Sequence, residues 1–503
     1  MSELPKGWEA VSLQDVAHWS SGGTPSRSTP AFYSGTVPWF KTGELGPRLL
    51  KESEEYISEE AVRESSAKVF KKGSVVLAMY GATIGKTSIL GVDAATNQAC
   101  AVGSPEAVGS DFLYYFLVSQ EKGFTEAGKG GAQPNISQGI VKAWPMLLPP
   151  EREQVRILAK LEELLSDLDA GVAELKAARK KLGQYRQSLL KAAVEGALTA
   201  DWRSKHKPAE TGAQLLERIL QERRTRWEAK QLAKFADQGK PPPKDWQKKY
   251  PEPVQPDTTD LPGLPEGWVW ASVDQIAEVF LGKMLDKTKH TSGERLPYLR
   301  NVNVRWGSID IDDVYEMFFD TDELERYGLL AGDVLVCEGG EPGRAAICKK
   351  EHERFKYQKA LHRVRLFSMY EPELLIAFLE FIAKTGRLAK TFTGSTINHF
   401  TKESFLALQV PVPSLVEQRV IIESISQAMG SIDDQDTVIT ISLKQSAAQR
   451  QNILRAAFSG QLVQQDPNDE PASVLLERIR TERAQRKAPK MSRLRQEMKK
   501  DKS

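Results

Sequence analysis

The chain states almost everything twice. LPKGWEAVSLQDVA (4–17) returns as LPEGWVWASVDQIA (264–277), and KKGSVVLAMYGATIGK (71–86) returns as LAGDVLVCEGGEPGR (330–344), one residue shorter. PPEREQVRILAKLEEL (149–164) matches VPSLVEQRVIIESI (412–425), QSLLKAAVEGAL (187–198) matches QNILRAAFSGQL (451–462), and LLERILQER (215–223) matches LLERIRTER (475–483). A unit of roughly 260 residues is therefore duplicated in tandem, and each copy is expected to rebuild the same core.

The duplication decides one tempting motif. SVVLAMYGATIGKTSIL (74–90) resembles a phosphate-binding loop, which needs Gly, four spacers and Gly-Lys-Ser/Thr at the start of a helix. Here only three residues separate Gly81 from Gly85, Tyr80 occupies the first-glycine position, and SILGVDAATNQA has no helical period. The second copy, EGGEPGRAA, lacks both the lysine and the hydroxyl residue. Both copies keep an apolar strand, a glycine-rich loop, one basic residue (Lys86, Arg344) and a second strand. That pattern predicts a β-hairpin whose tip presents a cation.

Each copy divides again. Residues 1–150 and 264–413 mix short strands, glycine turns and short helices such as 111–124 and 372–386, which predicts an α+β domain. A long helix follows each domain, over 151–200 and 414–465. Leu161, Leu168, Leu175, Leu182 and Leu189 recur every seven residues, and Leu164, Ala178, Tyr185 and Ala192 lie three further on, with Gly171 the weak member. The second helix answers with Ile425, Ile432, Ile439 and Ile453, broken at Ser446 and weakened by Gln435 and Gln449. These are coiled-coil seams, and about 45 residues of helix make a rod of roughly 65 Å. Two copies related by a two-fold axis would pair these helices antiparallel, with the two similar domains held apart by the rod. Residues 201–263 form a linker, with a short charged helix and then a semi-rigid Pro-rich path.

Composition narrows the chemistry. Cys100, Cys337 and Cys348 have no metal spacing and read as buried thiols. His18, His206, His290, His352, His362 and His399 include no pair at ligand spacing, so no metal site is expected. No apolar run is long enough to cross a bilayer and MSELPKGWEA carries no signal-peptide pattern, which predicts a soluble, cytoplasmic protein. The net charge is +2, but residues 478–503, within a charged tail over 466–503, hold eleven Lys/Arg against three Asp/Glu. Any nucleic-acid surface in the body must then be a local patch, and the tail reads as a solvated end.

Divergence between the copies is concentrated in loops. SSGGTPSRSTP (20–30) faces LGKMLDKTKHT (281–291), VPWFKTGELG (37–46) faces LPYLRNVNVRWG (296–307), and GKGGAQPNISQG (128–139) faces TFTGSTINHFTK (391–402). Their side chains suit base edges and phosphates. In the first domain the DNA-contacting candidates are Thr24, Ser26, Arg27, Lys41, Thr42, Tyr80, Thr83, Lys86, Lys129, Gln133, Asn135 and Ser137. In the second they are Lys283, Lys287, Lys289, Arg300, Asn301, Asn303, Arg305, Arg344, Lys359, Thr396, Asn398 and Lys402.

These motifs, in this order and twice over, resemble the specificity (S) subunits of type I restriction–modification enzymes. The resemblance covers nearly the whole chain. It includes LPKGW/LPEGW, GGTPS, PWFKTGEL, GATIGK, TNQA (96–99), YQKALHRVRL (357–366) and the PPEREQ and PVPSLVEQ helix starts. It implies two target recognition domains, each reading half of a bipartite double-stranded DNA site. It also implies long helices that dock two methyltransferase (M) subunits, which restriction (R) subunits then join. The chain would be non-catalytic, with AdoMet, ATP and Mg²⁺ bound by the partners. The helix faces away from the seam and the two LLER segments are expected to supply the docking surfaces. A second possibility is a coiled-coil scaffold whose heads bind proteins and not DNA.

Overall fold

The computed structural model describes residues 4–128, 134–285, 293–391 and 400–485. Contacts divide the chain into two compact units, Met1–Lys176 with Thr440–Ser503, and Ala177–Ile439. Each holds one α+β head. In the first, a sheet runs in the order Ala17–Ser21, Cys100–Pro105, Val75–Ala78, Thr87–Leu90, Leu49–Leu50. A smaller sheet orders Tyr56–Ile57, Val37–Phe40, Ala94–Thr96 and Val69–Phe70, and a ribbon pairs Glu9–Ser12 with Pro145–Leu148. The second head repeats the plan. Its main sheet is Ala277–Leu281, Leu361–Leu366, Val334–Cys337, Ala345–Ile347, and its ribbon pairs Val269–Ser272 with Gln409–Val412.

Strands Val75–Ala78 and Val334–Cys337 are apolar at every position because both of their faces are covered. Val75, Leu77 and Ile89 face a core shared with helix Ser110–Ser119. Val76, Ala78 and Leu90 face another, shared with Phe40, Phe70 and Cys100. In the second head Val334 and Val336 point one way and Leu335 and Cys337 the other. The Gly-Lys-Thr loop runs straight into strand Thr87–Leu90, paired antiparallel with Val75–Ala78. No helix starts there, so the loop lacks the N-terminus that a phosphate site needs.

Both long helices, Glu151–Val194 and Leu415–Phe458, have 44 residues. They pair antiparallel within each unit. In the first, Arg450 pairs with Asp169 while Leu161 and Leu165 share a core with Ile453, Leu454, Ala457 and Phe458. In the second, Arg179 meets Asp436 at 2.8 Å and Arg186 meets Asp433 at 3.3 Å, and Leu190 and Val194 join Ile421. All nine seam residues, Leu161, Leu168, Leu175, Leu182, Leu189, Ile425, Ile432, Ile439 and Ile453, are buried or half-buried. The interleaved positions are thinner: Ala178, Tyr185, Gln435 and Gln449 are exposed, and Ser446 returns its hydroxyl to Ser442 O. Around them ion pairs supplement the apolar seam across the helices.

Each head is fastened to its helix at one buried point. Trp8 Nε1 donates to Glu153 Oε2 at 3.0 Å, and Trp268 Nε1 donates to Glu417 Oε2 at 2.9 Å. The next residue, Gln154 or Gln418, gives its amide to the carbonyls of Pro149 and Ala107, or of Pro413 and Met369. This is the physical content of the repeated GW and EQ motifs. Antiparallel pairing then brings the far end of the other long helix to the same place. Gly460 (φ +75°) lies against Pro5, and Gly196 (φ +74°) against Pro265; a Cβ would come within 2.6 and 2.4 Å of those rings. Only glycine allows both the close approach and the left-handed turn.

Two expectations change here. The LLER leucines are not free for a partner. Leu215 and Ile219, on helix Gly212–Asp237, are buried in the second head's core, and Leu475, Leu476 and Ile479, on a helix described over 472–485, are buried in the first's. Arg223 and Arg483 lock the two helices down, reaching Asp274 O at 3.2 Å and Gln14 O at 3.0 Å. The linker helix, too, is not short: it has 26 residues, and the semi-rigid Pro-rich segment returns along it. Trp246 stacks on Trp227 with centroids 5.7 Å apart, Arg223 donates to Tyr250 Oη at 2.6 Å, and Val254 is hydrogen-bonded to Asp274 and Ser272. Aromatic burial outweighs the stiffness of the prolines.

The two helix feet differ in charge balance. Glu417 accepts from Trp268, from Thr199 at 2.7 Å and from Arg203, whereas Oε1 of Glu153 is buried without a partner. Burial pushes the Glu153 carboxyl above its ordinary value, against the opposing pull of Trp8. Its stabilising contribution is present below the unfolded-state value and is lost as pH rises through the folded one. Glu153→Gln should therefore hold or raise stability at pH 7.5 and flatten its pH dependence. Glu417→Gln removes the carboxylate charge from Arg203, which keeps only Gly196 O and Thr199, and should cost about 1.5–3 kcal/mol. Denaturant unfolding of both variants at pH 5 and 7.5 checks the contrast.

Candidate nucleic-acid interface

In the first head, two of the divergent loops and the hairpin converge on the TNQA turn. Gly23 N donates to Thr96 O at 2.9 Å, Asn97 N to Phe40 O at 3.0 Å, and Met79 N to Ala99 O at 2.9 Å. The GGTPS loop needs its glycines for this approach, because a Cβ on Gly22 would sit 2.2 Å from Thr96 O. Thr24 reaches the side chain of Gln98. The NIS segment adds itself to the hairpin loop: Gly81 N donates to Pro134 O, Ile136 N to Met79 O, and Tyr80 bridges to Asn135. Tyr80, Lys86, Ser26, Arg27, Asn135 and Ser137 are exposed, and Thr42 and Thr83 half-buried. Among the described residues no carboxylate pairs with Lys86. Ser137 instead caps helix Gln138–Lys142, accepting from Ile140 N.

Beside that turn lies a charged cluster. Arg27 Nη1 is 2.6 Å from Glu55, and Lys41 Nζ is 2.9 Å from Glu55 and 3.3 Å from Glu54. Arg27 also lies 4.1 Å over the Tyr33 ring, whose hydroxyl donates to Pro25 O, and Trp39 Nε1 donates to Gly23 O. Arg27 and Lys41 together hold the Glu55 carboxyl down to about 2, so it stays ionised at any working pH.

The second head uses the same positions differently. Asn301 sits beside the hairpin, and its carbonyl accepts from Arg344 Nη2 at 2.8 Å. Arg300 spans Asp313 at 2.7 Å and the Tyr315 ring at 3.7 Å. Arg305 and Lys359 are exposed, and Lys402 is half-buried 5.5 Å from the Phe280 ring. Among the described residues no group of His, Cys, Asp and Glu could hold a metal ion, and no helix is long and apolar enough to cross a membrane.

Two copies of the type I restriction modification DNA specificity domain match this chain, at residues 5–177 and 265–437. The chain belongs to that family. Across 504 residues it is 23% identical to the type I restriction enzyme EcoDI specificity subunit of Escherichia coli, covering 98% of each chain. Two solved structures share the fold. One, from work on complex assembly and conformational transition of the type I R-M system, is 16% identical over 92% of this chain and 100% of that one, with a TM-score of 0.66. The other, the HsdS subunit from Thermoanaerobacter tengcongensis, is 17% identical over 91% and 98%, with a TM-score of 0.50. The protein is thus a type I specificity subunit with two target recognition domains, which disfavours the protein-binding scaffold.

Several candidates in this specificity subunit prove to be internal. Arg344 presents no cation: its side chain is 15% exposed and is held by Glu341 and Asn301 O. The second hairpin lacks the room that Lys86 has, because Glu341, three residues before Arg344, draws the guanidinium inward. Lys283 is 3% exposed, bound to Glu323 and, at 2.8 Å, to Phe318 O. Asn303 is buried and gives its amide to Asp310 O and Asp313 O. A charged or amide side chain in a divergent loop cannot be told from a loop brace by its type alone. Lys129, Gln133, Lys287, Lys289, Thr396 and Asn398 lie outside the described residues. The carboxylates Glu54, Glu55 and Asp313 were not anticipated. Their one signal is an acidic pair just before a tyrosine in both copies, Glu54-Glu55-Tyr56 and Asp312-Asp313-Val314-Tyr315.

The two hairpin cations should separate cleanly in a stability assay. Arg344→Ala removes the guanidinium that braces Asn301 O and Glu341 within the hairpin, although Val304 N and Trp306 still reach them, and should cost about 1–3 kcal/mol. Lys86→Ala removes an exposed side chain and should stay within about 0.5 kcal/mol of the parent. Urea unfolding of the two variants checks this.

Proposed function

We propose that each target recognition domain reads one half of a bipartite, asymmetric DNA site through the loops gathered around its 96–99 or 357–360 turn. The observation that carries this reading is the split between scaffold and loop. Strands, helix feet and hairpins repeat in the two heads, while the side chains around those turns do not, so one fold is offered to two different sequences. Phosphate contacts would position each head, and base-edge contacts would specify the half-site. In the first head Tyr80, Lys86 and Asn135 are the exposed groups of the hairpin. In the second, Arg305 and Lys359 fill that part.

The chain itself carries out no chemistry in this reading. It recruits two methyltransferase subunits along the outer faces of the paired helices, and restriction subunits join them. AdoMet, ATP and Mg²⁺ act in those partners, in the cytoplasm where the DNA is. Because the LLER leucines are spent on the heads, the docking surface must consist of other side chains. Exposed Val155, Val416, Val438 and Ile441 on the long helices are available.

Exchanging residues 17–143 for those of a family member leaves Trp8, Glu153 and the ribbon in place. In the assembled complex it should change one half of the site recovered by selection from a random duplex library and leave the other intact. If both halves change together, the heads do not read independently. In the same complex, Lys86→Ala should lower the slope of log affinity against log salt by about one if the lysine meets a phosphate.

A further inference from the structure

Both heads carry the same device at matching places. Lys41 follows strand Val37–Phe40, and Arg300 follows strand Glu294–Leu299. Each strand pairs parallel with the segment leading into its turn, Trp39 with Ala95 and Phe40 with Thr96, Tyr298 with Lys356 and Leu299 with Tyr357. In both heads the cation is taken by an acidic side chain from the loop before the neighbouring antiparallel strand, Glu55 for Lys41 and Asp313 for Arg300. In both, an arginine of the cluster also lies on a tyrosine, Arg27 on Tyr33 at 4.1 Å and Arg300 on Tyr315 at 3.7 Å.

Stability accounts for part of this arrangement, because Glu55, Lys41 and Arg300 are largely covered, but Arg27, Glu54 and Asp313 are mostly open to solvent and exposed ion pairs contribute little to folding. On a face that meets a polyanion, three acidic side chains should also weaken binding. Their retention in two copies whose loops have otherwise diverged calls for a role in discrimination.

We propose that Glu55 and Asp313 are specificity-determining positioning residues: Glu55, with Glu54, holds Arg27 and Lys41 in a neutral clamp that competes with DNA phosphate and leaves their aligned donors to a matching base edge, and Asp313 holds the largely covered Arg300 inward, away from phosphate. This rests on the heads being DNA readers. A lysine or arginine free in solution pairs with any phosphate it meets, and such contacts supply sequence-independent binding. A carboxylate about 3 Å away removes most of that gain, since exchanging it for a phosphate gains little. A guanine edge, by contrast, takes two donors at fixed spacing and can add to the clamp without displacing it. Tyr33 fixes the Arg27 guanidinium plane for that purpose. Suppressing wrong partners at some cost in affinity is how selective interfaces gain discrimination.

The test uses the assembled complex with Glu55→Gln, Asp313→Asn, Glu55→Asp and, as a control of equal charge change on the same head, Glu60→Gln. Affinity is measured for the selected site and for random-sequence duplex across a salt series. Glu55→Gln should tighten random-duplex binding about 3–10-fold at low salt and steepen the salt slope by about one to two, as freed cations find phosphates. The ratio of specific to random affinity should fall accordingly. Asp313→Asn should do the same, with relaxed discrimination confined to the other half-site, and Glu55→Asp should resemble the parent. The proposal is overturned if Glu55→Gln and Asp313→Asn behave like Glu60→Gln, or if specific and random affinities fall together. Failure of the parent complex to select any sequence would instead overturn the DNA-reading function itself.

Discussion

A single buried hydrogen bond, from a tryptophan indole to a glutamate two residues inside a long helix, sets the geometry of each half of this protein. An indole N–H has one donor and no acceptor, so burying it demands a partner. Placing that partner at the helix foot fixes the head's ribbon against the start of the rod. Trp8–Glu153 and Trp268–Glu417 differ by 0.1 Å although the residues around them differ widely. The flanking Pro-x-Gly turn and the glutamine after each glutamate complete the joint. A glycine from the far end of the opposite helix closes it.

The joint explains why the chain crosses over itself. Because the helices run antiparallel, the stretch after the first one packs on the second head and the stretch after the second one packs on the first. The first unit is not a continuous piece of sequence at the level of contacts, since Met1–Lys176 is completed by Thr440–Ser503, whereas the second, Ala177–Ile439, is continuous. The same closure consumes the LLER leucines and the linker's aromatic residues, apolar groups that a linear reading leaves without cover. What remains exposed and apolar on the long helices is sparse: Val155, Val416, Val438 and Ile441.

Within each head, rigidity and variation are separated by depth. The central strands lie between two cores and tolerate little change, while the loops that meet at the TNQA and YQKA turns lie at the strand ends and are free to diverge. Charge is handled differently in the two heads. The first leaves Lys86 open, whereas the second folds its counterpart Arg344 inward. The first keeps Arg27 and Lys41, and the second Arg300, under the hold of a carboxylate. The heads are therefore similar in how they restrain charge and different in which donors they expose.

Much of this was determined by the sequence alone. Duplication specified two equal heads, the seven-residue spacing of leucines and isoleucines specified paired long helices, and the lost lysine and spacing of the second hairpin removed a nucleotide site. These are local or periodic signals, and they survive because burial of one apolar face depends on spacing and not on partners. The tertiary structure decided which polar residues do what. Lys283, Asn303 and Arg344 have the composition of DNA contacts, but Glu323, the carbonyls of Asp310 and Asp313, and Glu341 with Asn301 claim them. It also decided that the linker lies against the second head and that Glu55 and Asp313 stand beside the cations they hold. A donor and its acceptor are joined across tens of residues by the turns between them, and no period in the sequence records such a pair.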